Sequence, residues 1–96
     1  PLPAEKAEAW GLIWRAIDDD KLAAEVDALA ARLAIAPTYG LGLTKQALDA
    51  AADNSLAEQL ALERRLQSEA GRTPDYAEGV GAFLEKRKPT FTGRKA

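Results

Sequence analysis

Apolar residues recur along this chain three and four positions apart, and short clusters of Pro, Gly, Asn, Ser and Asp interrupt them. That spacing is helical. Leu22, Val26, Leu29 and Leu33 fall at i, i+4, i+7 and i+11, one stripe of one helix. Asp18-Asp19-Asp20 lie just before the stripe, where carboxylates accept orphan backbone N–H groups and suit the positive end of the helix dipole. The helix is expected to reach about Ala36, because Pro37 cannot continue it. Pro37 opens the next helix, whose Leu41, Thr44, Lys45 and Leu48 share a face. Its early Gly40 and Gly42 cost about 1 kcal/mol each relative to Ala, which predicts a close backbone approach there. Asn54 breaks that pattern. Ser55-Leu56-Ala57-Glu58 is a capping box, and the helix behind it carries Leu56, Leu60, Leu66 and Ala70 before Gly71 closes it. Thr73-Pro74-Asp75 starts a final helix with Tyr76, Val80, Phe83, Leu84 and Arg87 on its stripe, and Pro89 stops it.

Two stretches fit less regularly. Residues 3–10 form a short helix, with Pro in the tolerated first turn and Gly11 placed to end it. Residues 12–17 are too apolar for a loop and too short between stops for a helix, so they are expected to be extended. Residues 89–96, with two Thr, Pro and Gly, form an irregular basic tail. The whole reads as one all-α domain over residues 1–96, with four to five helices and one short extended segment. Ala (21 residues) and Leu (13) against ten β-branched residues support helix over strand.

Composition narrows the chemistry. With no Cys there is no disulfide, thiolate nucleophile or thiolate metal site; with no His, the usual general base and metal ligand are missing too. Carboxylates, Lys and Tyr remain, and each needs a shielded pocket to shift its pKa, which 96 residues rarely enclose. Asp18-Asp19-Asp20 lacks the spaced further ligands of a calcium loop, so the helix cap is preferred over a metal. Tyr39 and Tyr76, both at helix starts, read as packed aromatics rather than acids. A chain this short buries only about 60 to 65% of its unfolded surface, which describes a marginal monomer in want of a partner. No apolar run approaches the roughly 20 residues that span a bilayer, and the start lacks a basic-then-apolar signal pattern. The expectation is a cytoplasmic protein with no membrane partner.

Charge is unevenly placed. The formal net charge is −2, yet Lys86, Arg87, Lys88, Arg94 and Lys95 follow or adjoin the last acid, Glu85, and the remainder carries −7. A basic end with Phe83 and Phe91 interleaved suits phosphates and a stacked base, as in a nucleotide-containing ligand or single-stranded nucleic acid. On the residues alone a solvated terminus is the preferred reading, with the nucleotide-type ligand ahead of nucleic acid. The acidic body argues against a long polyanion, so no nucleic-acid partner is expected.

Three motifs are more specific: Ala4-Glu5-Lys6-Ala7-Glu8-Ala9-Trp10-Gly11-Leu12-Ile13, the Thr44-Lys45 helix, and above all Glu78-Gly79-Val80-Gly81-Ala82-Phe83-Leu84-Glu85-Lys86-Arg87-Lys88-Pro89-Thr90-Phe91. On these the chain resembles the C-terminal part of the crotonase superfamily, the enoyl-CoA hydratase/isomerase family. Trp10-Gly11-Leu12-Ile13-Trp14, Pro37-Thr38-Tyr39-Gly40-Leu41-Gly42-Leu43 and Ala70-Gly71-Arg72-Thr73-Pro74-Asp75-Tyr76 are most similar to the phenylacetate-degradation branch, which isomerises ring-1,2-epoxyphenylacetyl-CoA.

The resemblance implies the helical C-terminal region of a crotonase fold without its β-spiral core. It implies a part in oligomerisation, as a trimer or dimer of trimers, and in covering an acyl-CoA site. No cofactor is held covalently; a coenzyme A thioester is the substrate of the intact enzyme. Its catalytic carboxylate and oxyanion-binding N–H groups belong to the core, so no catalytic and no metal-binding residue is carried over. Phe83 and Lys86 match positions that approach the adenine end of CoA. A ring for a base and a point charge for a phosphate suit that role, three residues apart on one helical face. Phe83 serves equally as a core residue beside Val80 and Leu84. Lys88 and Arg94 add only long-range attraction. An ordinary enoyl-CoA hydratase is the rival within the family, and a stand-alone helical module with a nucleic-acid-touching tail is the rival outside it. The 96 residues alone are expected to self-associate and to be inactive.

Overall fold

Five α-helices and no strand make up the computed structural model, which describes residues 1–96: α1 (Ala4–Ala9), α2 (Asp19–Ala34), α3 (Thr38–Ala51), α4 (Leu56–Ala70) and α5 (Pro74–Glu85). The all-α reading holds. The chain resolves into two compact units, Pro1–Ala31 and Arg32–Ala96, divided within α2.

In the first unit, α1 is closed by Gly11, two residues past its end, whose φ of 73° is the left-handed conformation that terminates helices. The Leu12 N–H bonds to the Ala7 carbonyl and the Gly11 N–H to the Glu8 carbonyl, both at 2.9 Å, the paired closure of a Schellman turn. Residues 12–14 then bend, and residues 15–18 have no regular structure. The extended segment expected over residues 12–17 is therefore not a strand. A strand needs a neighbouring strand to take its backbone groups, and the structure has none; the Leu12 N–H turns back into α1, and the Ala16 N–H goes to the Glu8 carboxylate (2.7 Å). Helix α2 starts at Asp19, as the acidic run predicts, and Asp18 binds Lys21 Nζ at 2.7 Å. It stops two residues short of Ala36, because a residue preceding proline is pushed out of the helical region.

In the second unit, α3 and α4 pack as a hairpin, the one substantial helix pair. Gln59 ties its turn, donating to the Ala47 carbonyl at 3.0 Å and accepting from Asn54 Nδ2 at 3.0 Å. Ser55 and Glu58 form the expected capping box. At α5, Thr73 caps the Tyr76 N–H with Pro74 at the first helical position, again as read from sequence. Two expectations differ. Gly40 and Gly42 face open space, where an added Cβ would meet nothing within 4 Å, so no close approach offsets their cost inside this chain. Arg87 lies beyond the end of α5 instead of on its stripe, because the helix stops at Glu85.

The core is thin. Ala7, Leu66 and Ala82 are the only buried hydrophobic side chains, and no large side chain is fully enclosed.

Candidate functional site

The Phe83–Lys86 segment ends α5. Its last turn closes by two backbone bonds: the Lys86 N–H reaches the Phe83 carbonyl (3.3 Å) and the Arg87 N–H reaches the Ala82 carbonyl (3.0 Å). That is a Schellman closure with lysine, rather than glycine, in the left-handed position at φ 55°. Phe83 and Lys86 are thus three apart in sequence but not both on the helix, and the shared helical face expected of them stops at Glu85. Phe83 is 82% exposed, so its ring packs in no core within this chain. It borders an apolar groove of about 420 Å³ with Tyr39, Gly40, Tyr76, Val80 and Leu84 on its walls. Lys86 forms no ion pair.

Residues 88–96 have no helix or strand, yet they are anchored at three carboxylates. Glu78 receives two parallel bonds from the Arg87 guanidinium (2.6 and 2.8 Å) and one from the Thr90 N–H (2.7 Å). These hold its carboxyl far below the ordinary 4.5, at about 2, with Arg87 the main cause and Thr90 next. Asp75, only 5% exposed, accepts from the Thr92 N–H (2.7 Å), the Thr92 hydroxyl (3.1 Å) and the Gly93 N–H (2.8 Å). The Thr92 N–H is the chief reason its pKa is lowered. Glu69 accepts from the Tyr39 hydroxyl and from Lys95 Nζ (3.0 Å), both of which lower its pKa, Tyr39 foremost. Lys95 also lies 5.8 Å from the Tyr39 ring centroid. The ring of Phe91 rests on Gly79, and Gly93 (φ 69°) sits so close to Thr38 that any side chain would collide with its hydroxyl.

These contacts revise the reading of the basic end. Arg87 and Lys95 are spent on internal ion pairs, leaving Lys86, Lys88 and Arg94 to face solvent. Tyr39 is half-buried through its bond to Glu69, while Tyr76 is exposed on the groove wall, so only the first is a packed aromatic. No three His, Cys, Asp or Glu side chains converge as a metal site would. Sequence reasoning read Asp75 only as a helix-start acid, for which the dipole is already a sufficient explanation, and missed the role of Glu78, because partners 9 to 18 positions away lie outside any helical period. What the arrangement provides is a tethered helix end with a ring on the wall of an apolar groove and, three residues on, an ammonium without an ion-pair partner.

The comparisons with known proteins agree with this architecture. Residues 1–94 match the family model described as enoyl-CoA hydratase/isomerase, and the chain belongs to that family. Over 93 residues, 97% of the chain, it is 55% identical to the 1,2-epoxyphenylacetyl-CoA isomerase of Escherichia coli. It is 50% identical over 91 residues, 95% of the chain, to a Rhodobacter capsulatus protein that carries the name probable enoyl-CoA hydratase. A crystal structure of an enoyl-CoA hydratase from Geobacillus kaustophilus superposes with a TM-score of 0.88 at 40% identity, over 95% of this chain and 35% of that one. The chain spans about a third of its curated relatives, 36% and 35% respectively.

Proposed function

We propose that this chain is the C-terminal helical region of an acyl-CoA isomerase that acts on 1,2-epoxyphenylacetyl-CoA. In the intact enzyme its two units work together as one region that builds subunit contacts and completes the nucleotide end of the CoA site. The observation that carries the reading is the 55% identity to the Escherichia coli isomerase along nearly the whole chain. The site supports it: Phe83 is free to stack on an adenine, and Lys86 has no competing partner for a phosphate. The substrate is an acyl-CoA and no cofactor is held covalently. We place the enzyme in the cytoplasm; no helix is long and apolar enough to cross a membrane.

A hydratase is the second reading, favoured by the 50% identity to the Rhodobacter capsulatus relative. Assaying the full-length protein with 1,2-epoxyphenylacetyl-CoA and with crotonyl-CoA separates the two. Isomerisation of the first without appreciable hydration of the second is expected. Hydration alone would establish the hydratase, and inertness toward both would overturn both readings. The 96 residues by themselves should turn over neither substrate, because the resemblance puts the catalytic carboxylate and the oxyanion-binding N–H groups in the β-spiral core. Turnover by the pure chain would sink the assignment.

A further inference from the structure

Lys86 is the one non-glycine residue with a left-handed backbone, a conformation that costs energy and persists where the surroundings over-determine it. Those surroundings are identifiable. Glu78, two turns back on α5, grips the chain as it leaves the turn: it holds Arg87, the residue directly after Lys86, by two bonds of 2.6 and 2.8 Å, and it accepts from the Thr90 N–H at 2.7 Å. Glu85 adds a bond of 2.5 Å to Arg87 Nε. Three charge-assisted bonds to one carboxylate therefore fix the backbone that carries Lys86, while the Lys86 ammonium itself is left unpaired.

We infer that Glu78 is a positioning residue: through Arg87 and Thr90 it locks the left-handed turn at Lys86 and so sets where the Lys86 ammonium meets the nucleotide end of a bound CoA thioester. The inference rests on the reading of Phe83 and Lys86 proposed above. A side chain held before the ligand arrives loses less freedom on binding, so loosening the turn should weaken recognition of the nucleotide and nothing else. Glu78 touches no ligand on this account; it acts only through Lys86.

The test measures binding of two unreactive probes to the full-length protein by calorimetry: phenylacetyl-CoA, and phenylacetyl-pantetheine, which lacks the nucleotide. Lys86→Gly removes the ammonium while keeping a residue that favours the left-handed turn. It should weaken phenylacetyl-CoA about five- to thirtyfold, the range of one partly exposed charge-assisted contact, and spare the pantetheine probe. Glu78→Gln should give the same split with a smaller loss, about three- to tenfold, because positioning cannot be worth more than the contact it positions. Arg87→Gln, which breaks the pair from the other side while leaving Glu78 to Thr90, repeats the measurement should Glu78→Gln fail to fold. In the Lys86→Gly background, Glu78→Gln should cost nothing further. Should Lys86→Gly weaken phenylacetyl-CoA selectively while neither Glu78→Gln nor Arg87→Gln does, or should the two losses simply add, the positioning role is overturned and the nucleotide reading stands. Equal effects of Lys86→Gly on both probes would overturn the nucleotide reading, and the positioning role with it.

Discussion

At the scale of single residues, the second unit is governed by three carboxylates whose partners all come from elsewhere in the chain. Glu69, Asp75 and Glu78 each sit below their ordinary pKa because hydrogen bonds to the ionised form hold them there. A carboxyl whose folded pKa is depressed adds stability that is fully present above its unfolded pKa and is lost as pH falls toward the folded value. For Glu78 that window runs from the ordinary 4.5 down to about 2. Residues 88–96 should therefore detach in acid. The Thr90, Thr92 and Gly93 N–H groups, which bond to these carboxylates, are the reporters. The Thr90 resonance should move toward its random-coil position as pH falls through this window, ahead of the amides within α4, and those of Thr92 and Gly93 should follow as Asp75, also held below its ordinary pKa, takes up its proton. Retention of the native Thr90 shift at pH 2 would contradict the assignment. None of this was legible beforehand. Glu78 and Arg87 lie nine positions apart across a helix end, and no pattern in the sequence says that Arg87 turns back; periodicity places Phe83 on the α5 stripe, but the pairing of Phe83 with Lys86 at a CoA site comes from resemblance.

At the scale of elements the sequence was a much better guide, wherever the controlling interaction is local. Ser55 reaches Glu58, Thr73 reaches Tyr76 and Gly11 closes α1, all within one turn, and all were readable. What contacts those helices make was not readable, because stripes on α2, α3 and α5 look the same whether their partner is present or missing. The structure ranks them. Leu66 on α4 is 6% exposed and lies with Leu43, Ala47 and Leu48 along the groove between α3 and α4, whereas Leu48 itself is 68% exposed. Truncation should follow burial: Leu66→Ala is expected to cost about 2 to 4 kcal/mol and Leu48→Ala less than about 1 kcal/mol. Urea melts of the two variants followed by far-ultraviolet circular dichroism give the comparison. Equal losses would mean that the α3–α4 hairpin is not held by the face that Leu66 occupies.

At the scale of the whole molecule, the exposed apolar surface is the dominant fact. Seventeen large hydrophobic residues are exposed, among them Leu22, Val26 and Leu33 of the α2 stripe and Val80, Phe83 and Leu84 on α5. Soluble monomers seldom leave continuous apolar patches larger than a few hundred Å² uncovered. A net charge of −2 offers little repulsion to keep two copies apart. The isolated 96 residues should therefore associate with one another, and the driving force should be burial of this surface rather than charge. Two measurements follow from that distinction. Sedimentation equilibrium should find dimers or larger species at high micromolar concentration, and the melting temperature should rise with concentration, because association stabilises the folded chain by mass action. Raising the salt should leave the association constant unchanged or strengthen it, whereas association through the basic residues 86–95 would weaken as their charges are screened. A chain that sediments as a pure monomer at high micromolar concentration, or that dissociates on adding salt, would show that the exposed stripes are not what drives assembly.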